Sequence, residues 1–272
     1  MNKETPESFI RKLTGKKTGF PGAMAINVDF SKKLNWDDYL ITNKLDGERF
    51  LLFGFDGNGY RMNRKCIIEK LSFLIPNGTV IDTEYYNELY HIIDFIAESG
   101  QLKKDSFSNR IKQVKDLILP KEIIFKHFLK ISKKNIEYLK KELKKVYLQE
   151  FEGYIFVEKK SKISFKTTSS ILKWKLFELN TVDFLYDDGE LKVKTSKGLV
   201  VKGNSFFQNY INGILIENGN IIECKPVILD GKINWIPYRF RYDKSDPNFI
   251  TVYNNVIQTI KEFQPIEKLL NI

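Results

Sequence analysis

The sequence predicts an α+β protein of two domains: a larger domain that mixes strands and helices, followed by a small β domain. Three observations carry this prediction. The chain has 272 residues, enough for two domains. Strand-like and helix-like apolar patterns alternate up to about residue 181, and short strand-like runs follow. We place the domains at residues 1–181 and 182–264, and residues 265–272 form a C-terminal tail that is a candidate to pack back on the first domain.

The first domain opens with strands around tight turns. Residues 39–44 and 49–55 are rich in β-branched and aromatic side chains, and Asp56-Gly57-Asn58-Gly59 is a strong hairpin signal. Four further strand candidates lie at residues 79–82, 89–95, 154–157 and 172–176. Apolar spacing predicts two helices, on Phe107, Ile111, Val114 and Ile118 and on Ile136, Leu139, Leu143 and Val146.

The second domain has a different pattern of apolar and turn-forming residues. Short apolar runs alternate with turn clusters at residues 187–189, 196–198, 218–220 and 230–232. Strands at such regular spacing predict a small β-barrel or sandwich. Residues 249–262 then carry Ile250, Val256, Ile257 and Ile260, which predicts a final helix.

Composition excludes several classes of protein. No run approaches the roughly 20 apolar residues that a membrane-spanning helix needs, and residues 1–7 lack the apolar stretch of a secretory signal. The two cysteines are too few for a disulfide framework or a cysteine metal site, which favours a reducing compartment. His91 and His127 are the only histidines, so zinc is disfavoured and a Ser-His-Asp triad would need one of them. Chemistry in this chain therefore rests on Lys, Arg, Asp and Glu.

The chain carries a net charge of +10, from 44 Lys+Arg against 34 Asp+Glu. Only seven of those cations are arginines, and the abundance of Lys, Asn and Ile is typical of an A/T-rich genome. A lysine-rich surface is therefore weak evidence for nucleic-acid binding. The few arginines carry more information, because a guanidinium binds phosphate in a forked geometry that lysine cannot copy.

The first candidate site is Lys44-Leu45-Asp46-Gly47-Glu48-Arg49, between two predicted strands. A neutral lysine amine can attack phosphorus, and nearby carboxylates can hold a metal or the substrate. The alternative interpretation is an exposed charged turn, so this motif needs support from other segments.

Three later segments supply that support. Asp82 and Glu84 are two residues apart on a predicted strand and share one face, where they can bind a divalent metal or a ribose hydroxyl. Glu152-Gly153 puts an acid at a strand start. Lys173-Trp174-Lys175 presents two lysines on one face, suited to phosphates, with Trp174 on the other. Taken singly, each segment is equally compatible with an ordinary polar strand face.

The last candidate segment, residues 235–248, concentrates two of the seven arginines and one of the three tryptophans. Within it, Arg239, Arg241, Asp243 and Lys244 follow Trp235. The alternative here is a basic edge strand that ends at a turn.

The order of these segments resembles the covalent nucleotidyltransferase superfamily of mRNA capping guanylyltransferases, DNA ligases and RNA ligases. Residues 44–49 are similar to the nucleophile motif Lys-x-Asp-Gly-x-Arg, residues 82–84 take the place of Asp-Gly-Glu, and Glu152-Gly153 that of Asp-Gly or Glu-Gly. Residues 173–175 match the Lys-Trp-Lys form found in capping enzymes. Several such segments in order are a far stronger signal than one.

Three features resemble capping enzymes rather than ligases: Phe20-Pro21-Gly22, Asn180-Thr181-Val182-Asp183-Phe184, and the pattern Arg-x-Arg-x-Asp-Lys-x-x-Pro-Asn at residues 239–248. Two positions depart from the family. Thr83 replaces a glycine, and Ile93 stands where an aromatic ring usually stacks on the purine.

The resemblance implies an antiparallel-sheet, ATP-grasp-like ligase/capping core followed by an OB-fold β-barrel. It also implies an RNA guanylyltransferase that forms a lysyl-GMP intermediate from GTP and transfers GMP to the 5′-diphosphate end of RNA. Lys44 would be the catalytic nucleophile, and Asp82 and Glu152 would hold Mg²⁺ or Mn²⁺. The nucleotide-binding residues would be Arg49, Arg64, Glu84, Asp94, Lys173, Lys175, Arg239, Arg241, Asp243 and Lys244.

Two alternatives remain: an ATP-dependent RNA or DNA ligase with an adenylated lysine, and a non-catalytic RNA-binding relative. We expect the RNA triphosphatase and cap methyltransferase to be other proteins or other parts of a longer polyprotein, and we expect no membrane association. A cellular enzyme would be nuclear, whereas one encoded by a virus or plasmid would be cytoplasmic.

Overall fold

The computed structural model describes residues 4–15, 20, 22–26, 31–146, 152–204 and 209–271. The chain forms two compact units. Unit 1 comprises residues 1–25, 34–174 and 270–272, and unit 2 comprises residues 26–33 and 175–269. Helices and mainly antiparallel strands occur together, which confirms the predicted α+β class.

The helices and strands of residues 1–175 are as follows. They are α1 (Pro6–Thr14), β1 (Gly22–Ala25), β2 (Tyr39–Asn43), β3 (Glu48–Phe55), β4 (Asn58–Asn63), β5 (Ile68–Lys70), β6 (Val80–Tyr86), β7 (Leu89–Glu98) and β8 (Gln101–Leu102). Then come α2 (Phe107–Gln113), β9 (Ile123–Phe125), β10 (Leu129–Lys130), α3 (Lys133–Val146), β11 (Gly153–Glu158) and β12 (Thr167–Lys175). The last residue of β12, Lys175, already belongs to unit 2.

Two sheets build unit 1. One has the order β5-β4-β3-β6-β7-β8, with β9 paired in parallel to β7, and the other has the order β1-β12-β11-β2-β10. Alternate residues of the first sheet enter different cores: Leu52 and Ile81 pack in one cluster, and Phe53 and Val80 pack with Phe9 of α1 in another. Side chains on both faces of this sheet are therefore buried, which packs strands β3 and β6 tightly.

The predicted hairpin at residues 56–59 is confirmed. Strands β3 and β4 pair from Phe50↔Asn63 to Phe55↔Asn58. Asp56 and Gly57 both have positive φ, 47° and 69°. This is the backbone that a two-residue hairpin turn of the mirror-image type requires, and it is why Asp-Gly is favoured there.

The helix predicted through Ile118 ends earlier. Helix α2 stops at Gln113, and one 3₁₀ turn follows at residues 114–116. Ile118 is 93% exposed. Leu117 is already extended, and Pro120 biases the residue before it away from helix. The helices predicted on Ile136 and on Ile250 are confirmed as α3 and, in unit 2, as Ile250–Lys261.

Unit 2 contains β13 (Val182–Asp187), β14 (Glu190–Thr195), β15 (Gly198–Asn204), β16 (Tyr210–Ile211), β17 (Ile214–Leu215), β18 (Ile221–Leu229), β19 (Lys232–Phe240), α4 (Ile250–Lys261) and α5 (Ile266–Leu270). The last residue of α5, Leu270, belongs to unit 1. Its main sheet has the order β15-β14-β13-β18-β19. The core includes Phe184, Trp235 and Ile260 from α4. The described pairings form an open row of five strands, so closure into an OB-fold barrel stays a prediction. Over the described ranges, no helix is both long and apolar enough to span a bilayer.

Candidate active site

Lys44 directly follows β2, at the point where the chain leaves the second sheet of unit 1. Its backbone N–H donates to the carbonyl of Gly153 (2.9 Å), and its Nζ lies 2.7 Å from Oε2 of Glu152. Both side chains are mostly buried, with 16% and 21% of their surface exposed. Because β2 pairs with β11, two residues 108 positions apart meet as an amine and a carboxylate.

Gly47 lets the loop that follows Lys44 lie against β6. A Cβ at this position would lie 2.5 Å from the carbonyl oxygen of Tyr85 and 2.9 Å from Cγ of Glu84. Only glycine allows this close approach, so the motif glycine has a steric reason. The approach brings Lys44 and Glu84 to one side of the unit.

Two lysines from other parts of unit 1, Lys126 and Lys173, interact electrostatically with Lys44. Burial lowers the pKa of Lys173 on β12, and the positive charges of Lys44 and Arg64 lower it further. Burial also lowers the pKa of Lys126, which follows β9; Glu84 opposes this shift, while Lys44 and Arg49 add to it. Cations that disfavour each other's charge in this way form a ready site for an anion.

Arg49 on β3 pairs with Asp82 on β6. Its Nε donates to Oδ1 of Asp82 at 2.8 Å, and a second, short contact joins its NH2 group to Oδ2. The Asp82 side chain is completely buried, and Arg49 is 13% exposed. The guanidinium also lies 5.9 Å from the ring centre of Phe20. Phe20 belongs to the upstream Phe-Pro-Gly segment, in which Pro21 lies outside the described residues.

Glu84 meets a lysine that the sequence did not single out. Nζ of Lys126 lies 3.6 Å from Oε2 of Glu84, and the lysine side chain is 3% exposed. Neighbouring Thr83, which replaces the family's glycine, is fully buried and donates from Oγ1 to the carbonyl of Phe50 at 3.1 Å. The threonine hydroxyl therefore has a hydrogen-bond acceptor inside the sheet.

Asp94 on β7 is held by Arg110 of α2. Nε and NH2 of Arg110 donate to the two carboxylate oxygens at 2.8 and 2.7 Å. Burial raises the pKa of Asp94, and Arg110 opposes the shift. Ile93 is half-buried, and the nearby ring of Phe95 is fully buried in the sheet core. Phe95 is therefore not available to replace the missing purine-stacking ring at residue 93.

The two predicted metal ligands differ in their suitability. Both oxygens of Asp82 accept from Arg49, so a metal role would require that pair to open. Glu152 is partly exposed and faces Lys44. Within the described residues, no group of three His, Cys, Asp or Glu side chains could hold a metal. One carboxylate fits Mg²⁺ or Mn²⁺ if substrate phosphates and water complete the ligand shell, which is common for Mg²⁺.

Two of the predicted cations of unit 2, Arg241 and Lys244, contact Asp183 of β13. NH1 of Arg241 lies 2.8 Å from Oδ1 of Asp183, and Lys244 makes a short contact with Oδ2. Asn248 donates to Oδ2 at 3.3 Å and accepts from the Asp183 backbone N–H at 3.0 Å. Arg239 pairs with Glu223 at 2.5 Å. Asp183 thus organises the end of the Arg-x-Arg segment.

The charges in this cluster favour each other. A two-pronged hydrogen bond to Asp243, with distances of 2.9 and 2.8 Å, raises the pKa of Arg241 above its usual value. The same contact lowers the pKa of Asp243.

Lys175, at the end of β12, has its Nζ 3.4 Å from the carbonyl oxygen of Leu179.

Three residues of the site were missed from sequence. Lys126 is one of many lysines and has no motif around it. Arg110 carried a weak signal, because arginines are scarce in this chain. Asp183 lay in a segment that resembles capping enzymes, but only the folded sheet shows that it holds Arg241, Lys244 and Asn248.

Comparison with known proteins gives a consistent result. Residues 130–270 match the family model described as mRNA capping enzyme, C-terminal domain. The mRNA-capping enzyme of Caenorhabditis elegans is 26% identical over 299 residues, covering 90% of this chain but 47% of that protein. The chain therefore spans about half of that relative. The mRNA-capping enzyme subunit alpha of Neurospora crassa is 24% identical, with 97% of this chain and 87% of that protein covered.

Among solved structures, a mycobacterial DNA ligase D complexed with ATP and MES aligns with a TM-score of 0.55. The alignment covers 84% of this chain and 97% of that one at 13% sequence identity. It shows a shared fold.

Proposed function

The chain belongs to the mRNA-capping-enzyme family, since the family model covers more than half of it, and we propose that it is an mRNA guanylyltransferase. The observation that carries the proposal is the position of Lys44. Its amine contacts Glu152, its charge acts on Lys126 and Lys173, and Arg64 acts on Lys173. An amine placed in an anion-binding site is suited to attack a nucleotide phosphate.

In the first step, Nζ of Lys44 attacks the α-phosphorus of GTP. A P–N bond forms, the bond to the bridging oxygen of the β-phosphate breaks, and pyrophosphate leaves. The amine must give up a proton, and Glu152 lies within hydrogen-bonding distance to accept it. The product is a lysyl-GMP phosphoramidate.

The surrounding cations stabilise charge on the α-phosphoryl oxygens. Lys173 and Lys175 would contact this phosphate, and Arg64 would contact phosphate or sugar. A partly buried cation acts strongly on developing charge because little water screens it. Glu84 and Arg49 would hold the ribose hydroxyls.

Glu152 would also hold the divalent cation, Mg²⁺ or Mn²⁺. When bound, such an ion neutralises phosphate charge and favours the deprotonated amine. We keep Asp82 as a weaker candidate ligand because Arg49 occupies it. Asp94, clamped by Arg110, would contribute to the nucleotide site as a fixed carboxylate.

Arg239, Arg241, Asp243 and Lys244 would engage the β- and γ-phosphates of GTP during the first step. The Arg239 side chain is 51% exposed, and Asp243, a partner of Arg241, is 65% exposed, so phosphate oxygens can replace Asp243 at modest cost. We keep the proposed domain bounds of residues 1–181 and 182–264, with residues 265–272 as a C-terminal tail.

In the second step, an oxygen of the 5′-diphosphate end of RNA attacks the phosphorus of lysyl-GMP. The P–N bond breaks, Lys44 recovers its proton, and a GpppN cap results. An RNA triphosphatase must supply the diphosphate end and a cap methyltransferase must act on the product. The eukaryotic relatives support action on nuclear transcripts, with a cytoplasmic virus- or plasmid-encoded enzyme as the alternative.

The test is covalent labelling. The protein is incubated with each of the four α-labelled nucleoside triphosphates and a divalent metal, denatured, and examined for bound label. We expect label from GTP alone and its transfer to 5′-diphosphate RNA. Label from ATP alone would indicate a ligase, and absence of label from all four would contradict a guanylyltransferase.

A further inference from the structure

A lysine and a tyrosine stack on each other on the main sheet of unit 2. The Nζ atom of Lys225 on β18 lies 3.5 Å from the ring centre of Tyr238 on β19. Tyr238 is 44% exposed, and Lys225 is half-buried. In the part of the chain that the structure describes, Lys225 forms no ion pair. Its ammonium group therefore remains available to an anion from outside.

The sheet aims both side chains away from the core. Cys224 and Pro237 are buried partners across the two strands, so Lys225 points to the opposite face. A β-bulge interrupts the register here: Glu223 pairs with Arg239 and Cys224 with Pro237, which leaves Tyr238 as the extra residue. Bulges re-aim side chains, and this one leaves two consecutive residues, Tyr238 and Arg239, exposed.

The exposed ring adjoins the proposed phosphate-binding cluster. Arg239, which follows Tyr238, has 51% of its side chain exposed and pairs with Glu223. Arg241, two residues on, pairs with Asp183 and Asp243. An aromatic ring beside guanidinium groups matches a molecule that carries a base next to phosphates. The pairing of aromatic rings with cations is how proteins bind single strands without reading sequence.

We propose that Tyr238 and Lys225 bind the first nucleotides of the single-stranded RNA acceptor. A base stacks on the exposed part of the Tyr238 ring, and Lys225 contacts a backbone phosphate. The inference rests on the proposed guanylyltransferase function and assigns the acceptor's binding surface in it. GTP brings a single base, which the first step places with Lys44, so the tyrosine serves the second substrate.

The experiment separates the two steps. Tyr238→Ala and Lys225→Met are compared with Tyr210→Ala, a tyrosine of unit 2 that is 53% exposed, and Lys144→Ala, an exposed lysine of α3. The first measurement is the rate of lysyl-GMP formation without RNA. The second is the Kd for a fluorescent single-stranded 5′-diphosphate RNA of about ten nucleotides, a length typical of such sites. The third is the KM for that RNA in cap formation.

We expect Tyr238→Ala to weaken RNA binding and raise the KM about tenfold, the usual loss of one stacked base. Tyr238→Trp should restore both, and lysyl-GMP formation should be unchanged. Lys225→Met should weaken binding and reduce its salt dependence by about one phosphate contact. An RNA with abasic first positions should bind wild type and Tyr238→Ala equally.

Three results would overturn the proposal: no change in Kd and KM for Tyr238→Ala, an equal loss in Tyr210→Ala, or a parallel loss in lysyl-GMP formation. RNA binding is read without any covalent label. A protein that binds RNA through Tyr238 but takes no label from a nucleotide would therefore contradict the proposed function while supporting this site.

Discussion

The ion pairs of the two units differ in their exposure to solvent. In unit 1 the paired groups are buried: Asp82 is completely buried, and Arg110 is 1% exposed. In unit 2 two pairs have one exposed member: Arg239 (51% exposed) pairs with Glu223 (10%), and Asp243 (65%) pairs with Arg241 (18%). The shared partner Asp183 is 7% exposed. Burial lowers the pKa of Lys126 and Lys173 in unit 1, whereas the hydrogen bond to Asp243 raises that of Arg241 in unit 2.

This contrast in exposure indicates which step of the proposed reaction each unit can serve. Buried pairs fix geometry, because breaking one leaves an uncompensated charge in a medium of low dielectric. Exposed pairs exchange partners readily, because water and salt screen them. Unit 1 therefore suits the nucleophile and the nucleotide, and unit 2 suits phosphates that must be bound and released within one reaction cycle.

The largest effect should come from Lys44→Ala. The substitution removes the only group that we assign to covalent bond formation, so labelling by GTP should fall by at least ~10⁴-fold, as for other lost nucleophiles. Lys144→Ala on α3 is the control for a lost surface charge. A folded Lys44→Ala protein that still becomes labelled would refute the assignment.

The second test compares the two kinds of ion pair. Asp82→Ala should lower the free energy of unfolding by about 3–5 kcal/mol, because the buried Arg49 then loses its partner. Asp243→Ala, the matched change in unit 2, should leave the denaturant midpoint nearly unchanged. Equal losses in the two variants would remove the contrast between the units.

The third test asks whether Arg241 and Lys244 take part in the first reaction step. Arg241→Ala and Lys244→Ala should each slow lysyl-GMP formation about 10²-fold, the usual loss when one donor to developing charge is removed. Each variant leaves the buried Asp183 with its other cation and with Asn248, so the loss of stability should be smaller than that of Asp82→Ala. A large fall in stability with unchanged labelling would make the cluster structural rather than functional.

The smallest effect concerns acid. Burial, and then the charge of Lys126, lowers the pKa of His91 from 6.5 to about 4. Between those values the unfolded state binds the additional proton, so stability is complete above pH 6.5 and falls as the pH drops to 4.

The slope from His91 approaches but does not exceed about 1.4 kcal/mol per pH unit. His91→Leu should flatten the fall between pH 6.5 and 4, measured by urea unfolding at several pH values. His91 lies in unit 1, so this part of the acid sensitivity belongs to that unit. Identical slopes in variant and wild type would contradict the buried neutral imidazole.

Local patterns in the sequence were sufficient for much of the fold. Asp56-Gly57 predicted a hairpin because its turn needs positive φ, and the spacing of Ile136, Leu139 and Leu143 predicted α3. The helix expected through Ile118 failed because periodicity continued past the point where the backbone became extended before Pro120. Periodicity reports which side chains are apolar but does not show where a helix stops.

The amino-acid sequence alone identifies the chemical groups that this chain can use: a lysine before a glycine turn, acids on one strand face, and two of the few arginines near the end. The partners of these groups emerge from the folded structure, such as Glu152 for Lys44, Arg110 for Asp94 and Lys126 for Glu84. The reason is physical. Motifs act over a few residues, where backbone geometry fixes which side chains share a face. Pairs separated by tens of residues depend on strand order and register, which the packing of the whole unit selects.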